Sequence, residues 1–235
     1  MAISVAEGDP TAAPAVAMLG GTFDPVHLGH LRSAVELREV LGLDRVQMIP
    51  AHLPPHRAAP GVSSRERLAM LRLGIGDTPG LVADDRELRR DGPSYSVDTL
   101  ASLRAELGER ARLIMAVGHD AFLKLAEWRD PEGLFAQAHV VVIERPDHDA
   151  PLPPPLRALL AGREVTSVAA LMAASRGRLL RLSLPTRLAI SATGIRRRLA
   201  EGRSVRYLLP EPVRRHIESR GLYRGDGAAP DGETR

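Results

Sequence analysis

Apolar residues along the chain follow two rhythms. Short, nearly continuous runs at residues 15–19, 45–49, 81–83, 113–117, 139–143 and 179–182 have the length and composition of strands. A strand that is apolar throughout is buried on both faces, as in a parallel sheet covered by helices on either side. Between these runs the apolar spacing lengthens to three and four. Residues 30–41 bring Ala34, Leu37 and Leu41 to one helical face, and Gly42 stands ready as a left-handed cap. Ser63 and Glu66 have the spacing of a capping box ahead of Leu68, Leu71 and Ile75. Ser96 is placed to cap a helix carrying Val97, Leu100, Leu103 and Leu107. Strand and helix in alternation predict an α/β, Rossmann-like, doubly wound parallel sheet.

Two proline-rich connections, 50–61 and 146–155, interrupt this alternation. After residue 190 there are two helical patterns and no clear strand. The expected organisation is a disordered extension over 1–15 and a nucleotide-binding α/β domain over 16–190. A small C-terminal helical subdomain over 191–224 and a disordered tail over 225–235 follow. No internal repeat is present.

Composition narrows the class. The 235 residues are 44 % hydrophobic and 26 % charged, the balance of a globular protein able to bury a core. Cysteine is absent, which excludes disulfides and thiolate metal sites and fits a reducing cytoplasm. No stretch reaches the roughly 18 apolar residues of a membrane span, and the first fifteen residues lack the basic start of a signal peptide. Neither a membrane nor a nucleic acid is the expected partner. The nonenzymatic alternatives are a nucleotide-binding sensor and an RNA binder; the latter would interleave its cations with stacking aromatics, whereas aromatics are 3 % here. The net charge is +3 and the pI about 9.9, because Lys124 is the sole lysine and the other cations are arginines. Arginine's planar fork suits phosphate groups, although genomic base composition produces the same bias. The sequence is compatible with a monomer or a homo-oligomer.

The candidate chemistry starts where the first strand ends, in MLGGTFDPVHLGH at 18–30. In an open α/β sheet, ligands bind outside the carboxyl ends of the strands. Gly20 and Gly21 let backbone approach a ligand where a Cβ would collide, and the amides opening the next helix attract anions. His27 and His30 lie one turn apart with Gly29 between them, so both imidazoles face one pocket, where each can donate to phosphate oxygens. A zinc site would need a third ligand at a persuasive spacing, and none follows. A P-loop would need Gly-Lys-Ser/Thr after the glycines, which is also missing.

The HxGH stretch at 27–30 and the late run ISATGIR at 190–196 resemble the paired signatures of the nucleotidylyltransferase superfamily. Within it the chain is similar to the bacterial nicotinate-mononucleotide adenylyltransferases. The other matching segments are IPAHLPPH at 49–56, PSYSVDTL at 93–100, GHD at 118–120 with Trp128, ERP at 144–146 and RYLLP at 206–210. They stand in family order and cover about residues 16 to 224. Three positions depart from the family pattern: Ala192 replaces the second serine of ISSTxIR, Arg57 a usual lysine and Ser96 a usual threonine. A class I aminoacyl-tRNA synthetase shares the HxGH element, but its lysine-containing second signature is missing.

The resemblance implies transfer of AMP from ATP to nicotinate mononucleotide, giving deamido-NAD and pyrophosphate, with Mg2+ carried on the ATP phosphates. It implies catalytic roles for His27, His30 and Arg196, with Thr193 assisting at the start of a helix over 194–200. It assigns ATP to Gly20, Gly21, Thr22, Phe23, Gly29, Gly118, Asp120, Arg145, Ser191 and Thr193. Nicotinate mononucleotide falls to Asp24, His56, Arg57, Ser94, Tyr95, Ser96, Thr99 and Trp128. Nicotinamide mononucleotide and other phosphate acceptors are the neighbouring alternatives, and backbone N–H donors near Tyr95 and Ser96 would favour the acid over the amide.

Overall fold

Val16, Ala17 and Met18 are all buried, as a strand covered on both faces requires, and they form the heart of β1 (Ala15–Gly21). The computed structural model describes residues 13–53, 61–144, 151–186 and 188–224. From β1 the chain runs through α1 (Leu28–Leu41), β2 (Arg45–Pro50), α2 (Ser64–Ile75), β3 (Leu81–Ala83) and α3 (Ser96–Leu107). It continues with β4 (Arg112–Gly118), α4 (His119–Phe122), α5 (Pro131–Gln137), β5 (His139–Ile143) and α6 (Pro154–Leu160). It closes with β6 (Glu164–Val165), α7 (Val168–Met172), β7 (Leu179–Leu182), α8 (Ala192–Ala200) and α9 (Glu211–Arg220). The strands are all parallel and lie side by side as β3-β2-β1-β4-β5-β7-β6. This is the expected Rossmann-like α/β fold.

The strand residues alternate between two apolar cores. Ala17, Val46, Met48, Ile114 and Val141 face one core with α1 and α2, while Met18, Ile49, Leu113, Met115 and Val140 face the other with α3, α5 and α6. Ile195, Val205, Leu209, Val213 and Ile217 join the first of these cores, so α8 and α9 close the same face as α1 and α2. The Leu28 N–H donates to the Leu208 carbonyl at 3.1 Å, and His216 Nε2 meets Glu66 Oε2 at 2.7 Å.

Several local expectations shift. Residue 15 already belongs to β1, and the Pro14 carbonyl accepts from the Arg112 N–H at 2.8 Å, so the disordered extension expected over 1–15 is too long at its inner end. Ser63 does cap α2 through the Glu66 N–H, but the Glu66 carboxylate turns to His216 and Arg220 instead of closing the box. Ser96 is not the cap of α3; Tyr95 takes that position with no side-chain cap bond, and Ser96 is the first helical residue. β6 was missed because two residues, Glu164 and Val165, make no apolar run. Gly42 has φ 62°, the left-handed stop expected of it.

Candidate active site

The strand order reverses between β1 and β4, and the turn leaving β1 lies at that reversal, where open sheets receive ligands. Gly21 is there for steric reasons: a Cβ on it would lie 2.9 Å from the Phe23 ring. Phe23 itself has φ 48°, a left-handed conformation that costs a bulky residue energy and marks functional turns. A Cβ on Gly29 would press to 3.1 Å from the His27 ring, so the glycine lets that imidazole fold over the start of α1.

His27 precedes α1 as its cap, and its Nδ1 accepts from the His30 N–H at 3.4 Å. That bond leaves the ring proton on Nε2. The two imidazoles stack with centroids 3.6 Å apart, and Phe23 meets His30 edge-on at 5.1 Å. Burial holds the His27 pKa down at about 4, so at neutral pH the ring is uncharged and carries one proton. The helix start is also less open to anions than its position suggests, because the Leu28 and His30 amides already have acceptors.

Arg196 reaches this turn from α8, whose first turn is held by the Ser191 hydroxyl accepting from the Gly194 N–H at 3.1 Å. Arg196 Nη1 donates to the Asp24 carbonyl at 2.7 Å, and Nη2 to the Thr193 hydroxyl at 3.3 Å. Its side chain keeps 35 % of its exposure, enough for a ligand to reach it. Arg197, next along the helix, is exposed. The segment leading into α8 is anchored upstream, where the buried Glu36 carboxylate accepts the Thr186 N–H at 3.0 Å and Arg32 Nε at 2.8 Å. Burial pushes the Glu36 pKa up, but the Thr186 and Arg32 contacts outweigh it and leave the group ionised below its ordinary range.

Asp24 is buried and both its oxygens are engaged: Oδ1 accepts from the Tyr223 hydroxyl at 2.6 Å and Oδ2 from the Gly61 N–H at 2.8 Å. Burial, reinforced by Asp24, drives the Tyr223 phenol far above its usual value, so it remains a donor. Arg67, also buried, donates from Nη1 to the Thr22 carbonyl at 2.7 Å and from Nη2 to the His52 carbonyl at 3.3 Å. Arg67, Tyr223 and Glu36 were all missed at the sequence level. The one signal was Arg67 on the stripe of α2 that also carries Leu68 and Leu71.

On the other side of the turn, the Ser94 hydroxyl accepts from the His52 N–H at 2.9 Å and the Leu53 N–H at 3.4 Å, pinning the chain after β2. The Tyr95 N–H is taken by the Pro93 carbonyl at 3.1 Å, which leaves Ser96 as the amide at the head of α3. Thr99 is fully buried; its hydroxyl donates to Glu87 at 2.7 Å and accepts from Arg90 at 3.1 Å, so it supports this wall from behind. Trp128 is half-buried and packs on the core that contains Phe122 and Leu125. Gly20 and Gly118 lie exposed at the carboxyl ends of β1 and β4, with Asp120 exposed just beyond. His56, Arg57 and Arg145 lie outside the described residues.

The cytidylyltransferase-like family model matches residues 18–198, which sets the class: an enzyme of the nucleotidyltransferase kind. A curated relative from Chromohalobacter salexigens is 69 % identical over 208 residues, covering 88 % of this chain and 95 % of the relative. One from Halorhodospira halophila is 50 % identical over 208 residues, covering 88 % and 94 %. Both carry the name "Probable nicotinate-nucleotide adenylyltransferase". The chain belongs to the nicotinate-nucleotide adenylyltransferase family. The Plasmodium falciparum nicotinic acid mononucleotide adenylyltransferase complexed with NaAD superposes with a TM-score of 0.68, covering 89 % of this chain and 97 % of that one. At 14 % identity, that likeness shows the shared fold.

Proposed function

We propose that this chain transfers AMP from ATP to nicotinate mononucleotide, forming deamido-NAD and releasing pyrophosphate, a step of NAD biosynthesis. The observation that carries the reading is the gathering of His27, His30 and Arg196 on one glycine-lined turn at the strand reversal. An oxygen of the mononucleotide 5′-phosphate bonds to the α-phosphorus of ATP while the bond from that phosphorus to the bridging oxygen breaks. Pyrophosphate leaves with the electron pair. The second pKa of a phosphomonoester is about 6, so the attacking group is ionised at neutral pH and needs no general base. No covalent enzyme intermediate is required either. The enzyme's task is to align two polyanions and to meet the developing charge with fixed donors.

His27, through Nε2–H, His30 and Arg196 are the donors assigned to the triphosphate. Thr193 and Ser191 order the first turn of α8, so the segment 191–224 completes the ATP side. Gly20, Gly21, Thr22, Phe23 and Gly29 form its floor, and Gly118 and Asp120 border the adenosine. Ser94, Ser96 and Trp128 receive the mononucleotide, with Asp24 and Thr99 acting as supports. The Ser96 N–H, at the positive end of α3, favours a carboxylate over an amide. Mg2+ arrives with ATP, since it prefers phosphate oxygens and water to an all-protein cage. Among the described residues no group of three or more His, Asp or Glu is arranged to hold an ion of its own. A cytoplasmic location accords with an ATP-dependent reaction, and among the described residues no helix is long and apolar enough to cross a membrane.

The test is pyrophosphate release from Mg-ATP with nicotinate mononucleotide and, in parallel, with nicotinamide mononucleotide. Faster turnover of the acid is expected. Release with neither acceptor refutes the reaction, and faster release with the amide refutes the acceptor.

A further inference from the structure

Arg67 is the largest fully buried side chain among the described residues, and the reaction above makes no use of it. Two of its nitrogens bond to carbonyls of two separate loops, Thr22 after β1 and His52 after β2. Its Nε, also buried, has no acceptor among the described residues. A buried cation with an unmet N–H is a poor device for stability alone, because an apolar side chain of similar volume commonly serves as well or better.

Its geometry gives it another use. The Thr22–Phe23 peptide is planar and trans, so its C=O and N–H point in opposite directions. Holding the Thr22 carbonyl against α2 turns the Phe23 N–H away from α2. Phe23 at φ 48° has the left-handed backbone that directs successive amides toward an anion. We propose that Arg67 is a positioning residue: by fixing the Thr22 carbonyl from behind, it aims the Phe23 N–H at a substrate phosphate. The proposal deepens the adenylyl-transfer reading and rests on it for the identity of that phosphate. The strained turn and the buried guanidinium then form one device, with the cation holding in place a peptide that would otherwise relax.

Two measurements test this. The chain has three phenylalanines, and Phe122 and Phe135 are buried in the opposite core, so protein labelled with 15N-phenylalanine has built-in references. Titrating the wild type with pyrophosphate is expected to move the Phe23 amide signal and leave the other two in place. A Phe23 signal that does not move overturns the proposal, whatever the fate of the reaction. Arg67→Lys keeps a cation but cannot bond both carbonyls, and Arg67→Met removes the charge; the first serves should the second fail to fold. Folded variants are expected to lose the pyrophosphate response of Phe23. Their kcat should fall roughly ten- to a hundredfold, as for a misplaced transition-state donor, with KM for the mononucleotide little changed. A variant with wild-type kcat, or with the Phe23 response intact, refutes the role of Arg67. A wild type that answers pyrophosphate at Phe23 yet makes no deamido-NAD faults the reaction and leaves the positioning standing.

Discussion

The two sides of the candidate site are built in different ways. The proposed phosphate side is assembled from remote parts of the chain: Asp24 is tied to Arg196 and Tyr223, and Thr22 to Arg67. The proposed pyridine side is tied mostly within one stretch, Glu87 and Arg90 bonding to Thr99, with one longer tether of Ser94 to His52, 42 residues upstream. The difference follows from what each must do. Donors facing a triphosphate have to be fixed before charge develops, and scattered tethers fix a turn from several directions. A ring and its carboxylate need a wall and one well-placed amide, which in the proposed reading would come from Trp128, the segment before α3 and the start of α3.

The largest effect should come from the phosphate side. His30→Ala is expected to keep its circular dichroism spectrum and lose on the order of a hundred- to a thousandfold in transfer rate; near-normal turnover would remove His30 from the chemistry. Arg196→Lys retains charge but loses the two-pronged grip on Asp24 and Thr193, and kcat should drop roughly tenfold to a hundredfold. An unchanged kcat would mean that charge alone suffices there.

Smaller effects appear as stability. Native His27 has its pKa held near 4 by burial, while the unfolded chain takes up the proton near the ordinary value of about 6.5. The ligand-free protein therefore has this contribution in full above pH 6.5 and loses it as pH falls toward 4, by at most roughly 1.4 kcal/mol per pH unit. His139, buried and shifted downward for the same reason, adds to the slope. Urea unfolding at pH 7.5 and pH 5 should show the loss, and His27→Gln should flatten part of it; an equal slope in the variant would contradict the assignment. On the pyridine side, Thr99→Val leaves Glu87 without its donor and should cost on the order of 1–3 kcal/mol, with kcat close to wild type. A large fall in kcat without a loss of stability would instead make Thr99 a substrate contact.

Much of the fold was legible because the strands advertise themselves. β3, β5 and β7 coincide with their apolar runs, and β1, β2 and β4 extend theirs by one or two residues. β6 and the short helices α4 to α7 carry too few periodic positions to stand out. The pairing of His27 with His30 was legible because their spacing is short enough to imply contact. Arg67, Glu36 and Tyr223 were not, since a charged or phenolic residue on a helix or near the chain's end reads as solvated until its partner is known. Those partners lie 45, 150 and 199 residues away. The Ser96 cap failed for a local reason: the helix starts one residue earlier than the hydroxyl suggests, and Ser94 is occupied with the chain after β2.

The bond between Asp24 and Tyr223 bears on how the enzyme comes into being on the ribosome. Asp24 is translated 199 residues before Tyr223, so the turn after β1 waits for most of the fold before this clasp can close. A chain released before α8 would lack both Tyr223 and Arg196, and with them two of the tethers that hold Asp24.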